Sequence, residues 1–180
     1  PEDEGAADVW NNFWTDDDNA PILAADELHY LSENLLVDGN LFLTYYVSTL
    51  DGTVIVRRID PKEISEIVTH EDDDISPVFY KRQWLDKRGT AHEMYYPDYH
   101  ILTSGDVEDH LDMLPKNSTR ADIFKEGTQV MVQHIAHNRK SGLWGWPIIA
   151  AGAPWSRAHK RFREDRASVA SAVAMYVNKI

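Results

Sequence analysis

The chain has 180 residues, no cysteine, 43% hydrophobic and 11% aromatic residues, and a formal net charge of −12. That size suits one domain, or one domain with an appendage, and so many aromatic and apolar residues exclude a disordered chain. Disulfide frameworks and thiolate metal centres are excluded with cysteine; no apolar run approaches the ~18 residues that span a membrane, and no signal peptide opens the chain. The charge is graded. Residues 1–74 hold 19 acidic residues against 3 basic ones, residues 75–138 hold 9 against 7, and residues 139–180 hold 2 against 8. An acidic body repels nucleic acid at long range, whereas a basic end can approach phosphate or an acidic neighbour.

In chain order, residues 1–21 read as an acidic arm containing Asp16, Asp17 and Asp18. Trp10, Phe13 and Trp14 are spaced for one face of a short docked helix. Residues 22–37 read as a helix, with Leu28, Leu31 and Leu35 at helical spacing, early acids Asp26 and Glu27, and Gly39 as its left-handed terminator. Leu41–Ser48 and Thr53–Ile59 are rich in aromatic and β-branched residues, predicting a hairpin closed by a two-residue turn at Asp51-Gly52. Asp60-Pro61-Lys62-Glu63 carries the signals of a helix start, with Ile64, Ile67 and Val68 as its apolar face. Glu71 to Asp74 reads as an acidic turn. Val78–Leu85 and Thr90–Tyr96 predict a second hairpin around Asp86-Lys87-Arg88-Gly89. Residues 97–128 mix turn formers with a possible short helix at Val107–Leu114. Val130–Ile135 alternates as a strand. Pro154–Ile180 predicts one long helix with Trp155, Ala158, Phe162, Val169, Val173, Tyr176 and Ile180 on a seam that Arg166 interrupts. Its last turn carries no cap, and no methionine opens the chain at Pro1, which reads as a piece of a longer protein.

The acidic clusters at 16–18 and 71–74 are candidate cation sites, but adjacent acids in a turn diverge, and no alternating calcium loop is present. His134 and His137 are three apart on a strand-like segment, which is not the helical H-E-x-x-H of a metallohydrolase. Neither a nucleophile elbow nor a phosphate-binding glycine loop occurs. The strongest candidates are five cations, Arg157, Lys160, Arg161, Arg163 and Arg166, interleaved with Trp155, His159 and Phe162. Such a set can contact phosphates or an acidic partner. Ahead of it, Gly142, Trp144, Trp146 and Pro147, with Trp155 at the helix start, form the junction into the helix.

The order of these segments resembles the portal proteins of tailed bacteriophages. Val37-Asp38-Gly39-Asn40-Leu41-Phe42 is similar to that family's D-G-N-x-F opening of a strand, and Ile59-Asp60-Pro61-Lys62-Glu63-Ile64 to its I-D-P-x-E-I continuation. His134, Asn138 and Gly142–Pro147 resemble the passage before its long helix, and Trp155, Arg161-Phe162 and Asp165-Arg166 that helix. The tryptophan pair at 144 and 146 departs from the commoner arginine-glycine form. The resemblance covers residues 22–68 and 130–180. It implies an α+β fold: a hairpin-rich wing domain over 22–150, followed by the start of a stem-type, projecting helix over 151–180. It further implies a non-enzymatic subunit without cofactor or metal, in a ring, typically a dodecamer, at one capsid vertex of the virion. Assembly would take place in the bacterial cytoplasm. Double-stranded DNA passes the ring without sequence specificity, and terminase, head-completion and tail proteins dock on it; no membrane is involved. Two other readings stand beside it: a metal-dependent hydrolase or nuclease half-domain, and a module that grips an acidic protein through the basic helix.

Overall fold

Asp38-Gly39-Asn40 is the point at which helix gives way to sheet. In the computed structural model, which describes residues 4–105, 108–115, 124–125, 128–139 and 142–177, three helices come first: α1 (Glu4–Thr15), α2 (Ala20–Leu23) and α3 (Ala25–Asp38). Gly39 ends α3 at φ 77°, its N–H donating to the Leu35 carbonyl at 2.9 Å. The chain then runs directly into β1 (Asn40–Ser48) and returns as β2 (Val54–Ile59). The turn between them is longer than the two residues predicted. The Ser48 N–H donates to Thr53 O at 2.8 Å, so four residues, Thr49 to Gly52, form the loop. The Asp51 carboxylate accepts from the Thr53 N–H, and Gly52 supplies the left-handed residue at φ 75°.

The expected helix after Asp60 does not form. Asp60 caps a single 3-10 turn, Pro61–Glu63, by accepting from the Lys62 N–H. Ile64–His70 then runs extended as β3. The capping signals are local, whereas Ile64, Ile67, Val68 and Thr69 are β-branched and find a partner strand, and tertiary pairing wins. That partner is β4 (Asp73–Leu85), reached through a turn at Glu71 and Asp72; β4 in turn pairs with β5 (Ala91–Pro97). Asp98 then caps α4 (Tyr99–Ser104), a helix not predicted, and a 3-10 turn follows at Glu108–Met113, where a short helix was expected. Val107, its predicted first residue, lies outside the described residues. The strand at 130–135 forms as β7 (Thr128–Ala136), beside the two-residue β6 (Phe124–Lys125).

The strands make two antiparallel sheets, β2-β1-β7-β6 and β3-β4-β5. Phe42 sits opposite both Ile59 and His134, and Thr44 opposite Val132, so these side chains share one face. Phe42, Ile59, Val130 and Val132 from the first sheet meet Val78, Tyr80 and Tyr96 from the second in a common core closed by Leu114. A parallel bridge between Asp98 and Val132 links the sheets' backbones. The fold is α+β.

The acidic N-terminal segment contributes to this body. Asn19 is fully buried; its Nδ2 donates to Val54 O at 2.8 Å and to Phe13 O at 3.1 Å, while Oδ1 accepts from Val56 N–H at 2.9 Å. β2 is an edge strand, and one amide side chain satisfies two of its outward backbone groups, which blunts the edge.

Residues 1–147 form one compact unit and residues 148–180 a second. The second holds a 3-10 turn (Ile148–Gly152) and α5 (Ala153–Val177). Residues 178–180 of the predicted helix lie outside the described residues.

Candidate functional site

Two regions carry the residues singled out from the sequence, and the structure treats them differently. The junction segment is stitched into the first unit. Asn40, buried at the start of β1, accepts at Oδ1 from the Gly145 N–H at 2.7 Å. Its Nδ2 donates to Gly145 O at 3.3 Å and to Asp38 O at 3.2 Å. The side chain thereby acts as one rung of backbone for a segment 105 residues away. Beside it, His137 N–H donates to Gly39 O and Trp146 N–H to His137 O, both at 2.8 Å. The three backbones lie so close that glycine is required on both sides. A Cβ on Gly39 would stand 2.7 Å from Pro147 N, and one on Gly145 2.7 Å from both His137 N and His137 O.

His134 completes the cluster. Its Nε2 is 3.1 Å from Asn40 Oδ1, which can only accept, so the proton sits on Nε2 and Nδ1 is left as a bare acceptor. Nδ1 is buried without a partner among the described residues. The ring stacks on Phe42 at 4.2 Å and 9°. Burial holds its pKa down at about 4, with a smaller contribution from Arg139, since protonation would place a second N–H where nothing accepts it. Behind this stack Tyr80 donates to Asp98 Oδ2 at 2.7 Å, and Asp98 Oδ1 accepts from the His100 N–H at the head of α4. Burial, and then the adjacent carboxylate, push the Tyr80 hydroxyl far up; burial also raises Asp98. Every partner in this set belongs to the fold itself, so the cluster positions the exit of the chain from the body.

The junction residues are placed unequally. Gly142 takes φ 72°. Leu143 and Gly145 are buried, Pro147 is half-buried, and Trp144 keeps an edge contact with Phe42 at 5.9 Å while remaining partly exposed. Trp146 is exposed on one side. Trp155 belongs to the second unit.

On α5 the cations stand in solvent. Lys160 reaches Glu164 only at 3.9 Å, and Arg166 lies over the Phe162 ring at 5.7 Å. Arg157, Arg161 and Arg163 have no ion-pair partner among the described residues. At 3.6 residues per turn the five do not form one stripe: Arg166 falls on the apolar seam, and the other four wrap the opposite side. The seam is uncovered, with Trp155 80%, Phe162 57%, Val169 63%, Val173 56% and Tyr176 77% exposed.

Among the described residues no three His, Asp or Glu side chains converge in a way that could hold a metal ion, and no helix is long and apolar enough to cross a membrane. Compared with known protein families, with curated proteins and with solved structures, the chain matches none.

Asn19, Asn40 and the Tyr80–Asp98 pair were not singled out from the sequence as site residues. Asn40 was visible only as the last letter of D-G-N. Asn19 gave no signal, because its two strand partners lie 35 and 37 residues away.

Proposed function

We propose that the chain is the wing and the first stem-type helix of a tailed-bacteriophage portal subunit. In this reading it is a structural, non-enzymatic protein of a ring at one capsid vertex. The axial channel passes double-stranded DNA during packaging and ejection, and terminase, head-completion and tail proteins dock on the ring. The observation that carries the reading is α5: 25 helical residues whose apolar seam is uncovered in the single chain. A helix of ~37 Å stays folded in water chiefly through a partner along its length, and a ring supplies one from the neighbouring subunit. The meeting of Asp38-Gly39-Asn40 with His134 and Gly145-Trp146-Pro147 adds support, because the separate segments of the resemblance then serve one local structure.

The reading implies a longer parent chain, and negative-stain electron microscopy of that full-length protein tests it. Closed rings with a central channel are expected; particles without a channel would overturn it. DNA binding by the ring should be weak, indifferent to sequence and steeply reduced by salt.

A further inference from the structure

Two helix faces are exposed among the described residues, and they match in period and in charge. On α5, Trp155, His159, Phe162, Arg166, Val169 and Val173 succeed one another at alternating steps of four and three. This is the 3.5-residue repeat of a helix that packs along one other helix. On α3, Asp26, Tyr30, Glu33 and Val37 follow the same steps, on the side opposite the half-buried Leu31 and Leu35. Tyr30 is 56% and Val37 49% exposed. Residues 4–38 carry nine carboxylates and no lysine or arginine, whereas α5 carries five cations against Glu164 and Asp165.

We propose that α5 of one copy of this chain lies along the outer face of α3 in a second copy, with Arg166 set beside Glu33 between Tyr30 and Val37. Charge selects this pairing over the two homotypic ones. Seam against seam, two α5 helices bring Arg166 and His159 towards their own kind. Two α3 faces bring Asp26 and Glu33 towards their own kind with no lysine or arginine on the helix to answer them, and like charges facing each other across an interface are unfavourable. The unlike pairing sets an arginine among acids and aliphatic and aromatic residues against one another. Made head-to-tail, as the ring reading requires, and not exchanged reciprocally between two copies, the contact grows into a ring or a filament instead of stopping at a dimer. The proposal rests on reading α5 as an assembly helix, and it adds the surface that receives it.

Sedimentation velocity of the 180-residue chain over a range of concentrations, at low and high salt, is the test. Mass is expected to grow past a dimer with concentration and to fall as salt rises. Arg166→Glu and Glu33→Arg should each weaken association by roughly tenfold or more, and the two together in one chain should restore it. Reversal of Arg88, in the β4–β5 turn, should leave association unchanged, and circular dichroism confirms that each variant is folded. A monomer at every concentration, a dimer that grows no further, or single reversals without effect would each overturn the proposal. Its fate is separable from that of the portal reading. Full-length rings indifferent to both reversals sink this contact alone. Salt-sensitive, charge-restored assembly into particles without a channel sinks the portal reading alone.

Discussion

Every polar atom of the Asn40 side chain is used inside the fold, by Gly145, Asp38 and His134. Truncation to alanine strands the Gly145 N–H and the His134 ring nitrogen in a buried place, and unsatisfied buried groups cost more than a hydrogen bond contributes. Asn40→Ala is therefore expected to lower stability by about 2–4 kcal/mol, read as a shift in urea midpoint with an unchanged slope. His134 makes the same neighbourhood sensitive to pH. Its folded pKa is about 4, below the ordinary 6.5. As the pH falls through that window the unfolded chain takes up a proton that the folded chain refuses. The stability tied to the neutral ring is complete above pH 6.5, is lost progressively down to about 4, and amounts to roughly 3 kcal/mol. His134→Gln should flatten this part of the profile, checked by urea unfolding at about pH 7 and about pH 4.5. An unchanged slope would mean that the ring is solvated. The sequence showed His134 as one of eight histidines, three residues from His137 on a strand-like segment; its stacking partner Phe42 lies across a strand pair that no local pattern reveals.

At the scale of elements, the junction depends on three backbones approaching one another at Gly39, His137 and Gly145. Gly145→Ala inserts a methyl group 2.7 Å from two backbone atoms of His137, and backbone cannot swing aside as a flexible side chain does. The substitution should cost about 1–3 kcal/mol and release the 142–147 segment. Trp144 fluorescence would then shift to the red ahead of global unfolding. Elements governed by short-range chemistry were legible. Leucine spacing and Gly39 located α3, aromatic and β-branched content located β1 and β2, alternation located β7, and the Asp86–Gly89 turn located the β4–β5 hairpin. β3 was read as a helix because Asp60, Pro61 and Glu63 are sound capping residues; what overrode them is β4, which a local reading does not weigh. α4 was missed because six residues hold too little periodicity, although Asp98 as its cap was there to be seen.

For the molecule as a whole, the division after residue 147 separates a body with a shared two-sheet core from a helix whose seam is bare. Hydrogen exchange should report that contrast. In a dilute monomer, the α5 amides are expected to exchange orders of magnitude faster than those of β1 and β7, because an unpartnered helix opens at little cost while central strands open only with the body. Raising the protein concentration until copies associate should then protect α5. Mass-spectrometric exchange at two concentrations checks both halves, and an α5 as protected as β1 in the monomer would contradict the account. The α+β class, most strand and helix positions, the charge gradient and the long amphipathic helix follow from the amino-acid sequence by itself, since periodicity, turn chemistry and charge act over a few residues. The joining of Asn40, His134 and Gly145, the shielding of the β2 edge by Asn19, the extended course of Ile64–His70 and the exposure of the α5 seam were decided only by the tertiary structure. Those features depend on which distant backbones come within hydrogen-bonding reach and which helix faces are left uncovered, and both are properties of the packed chain.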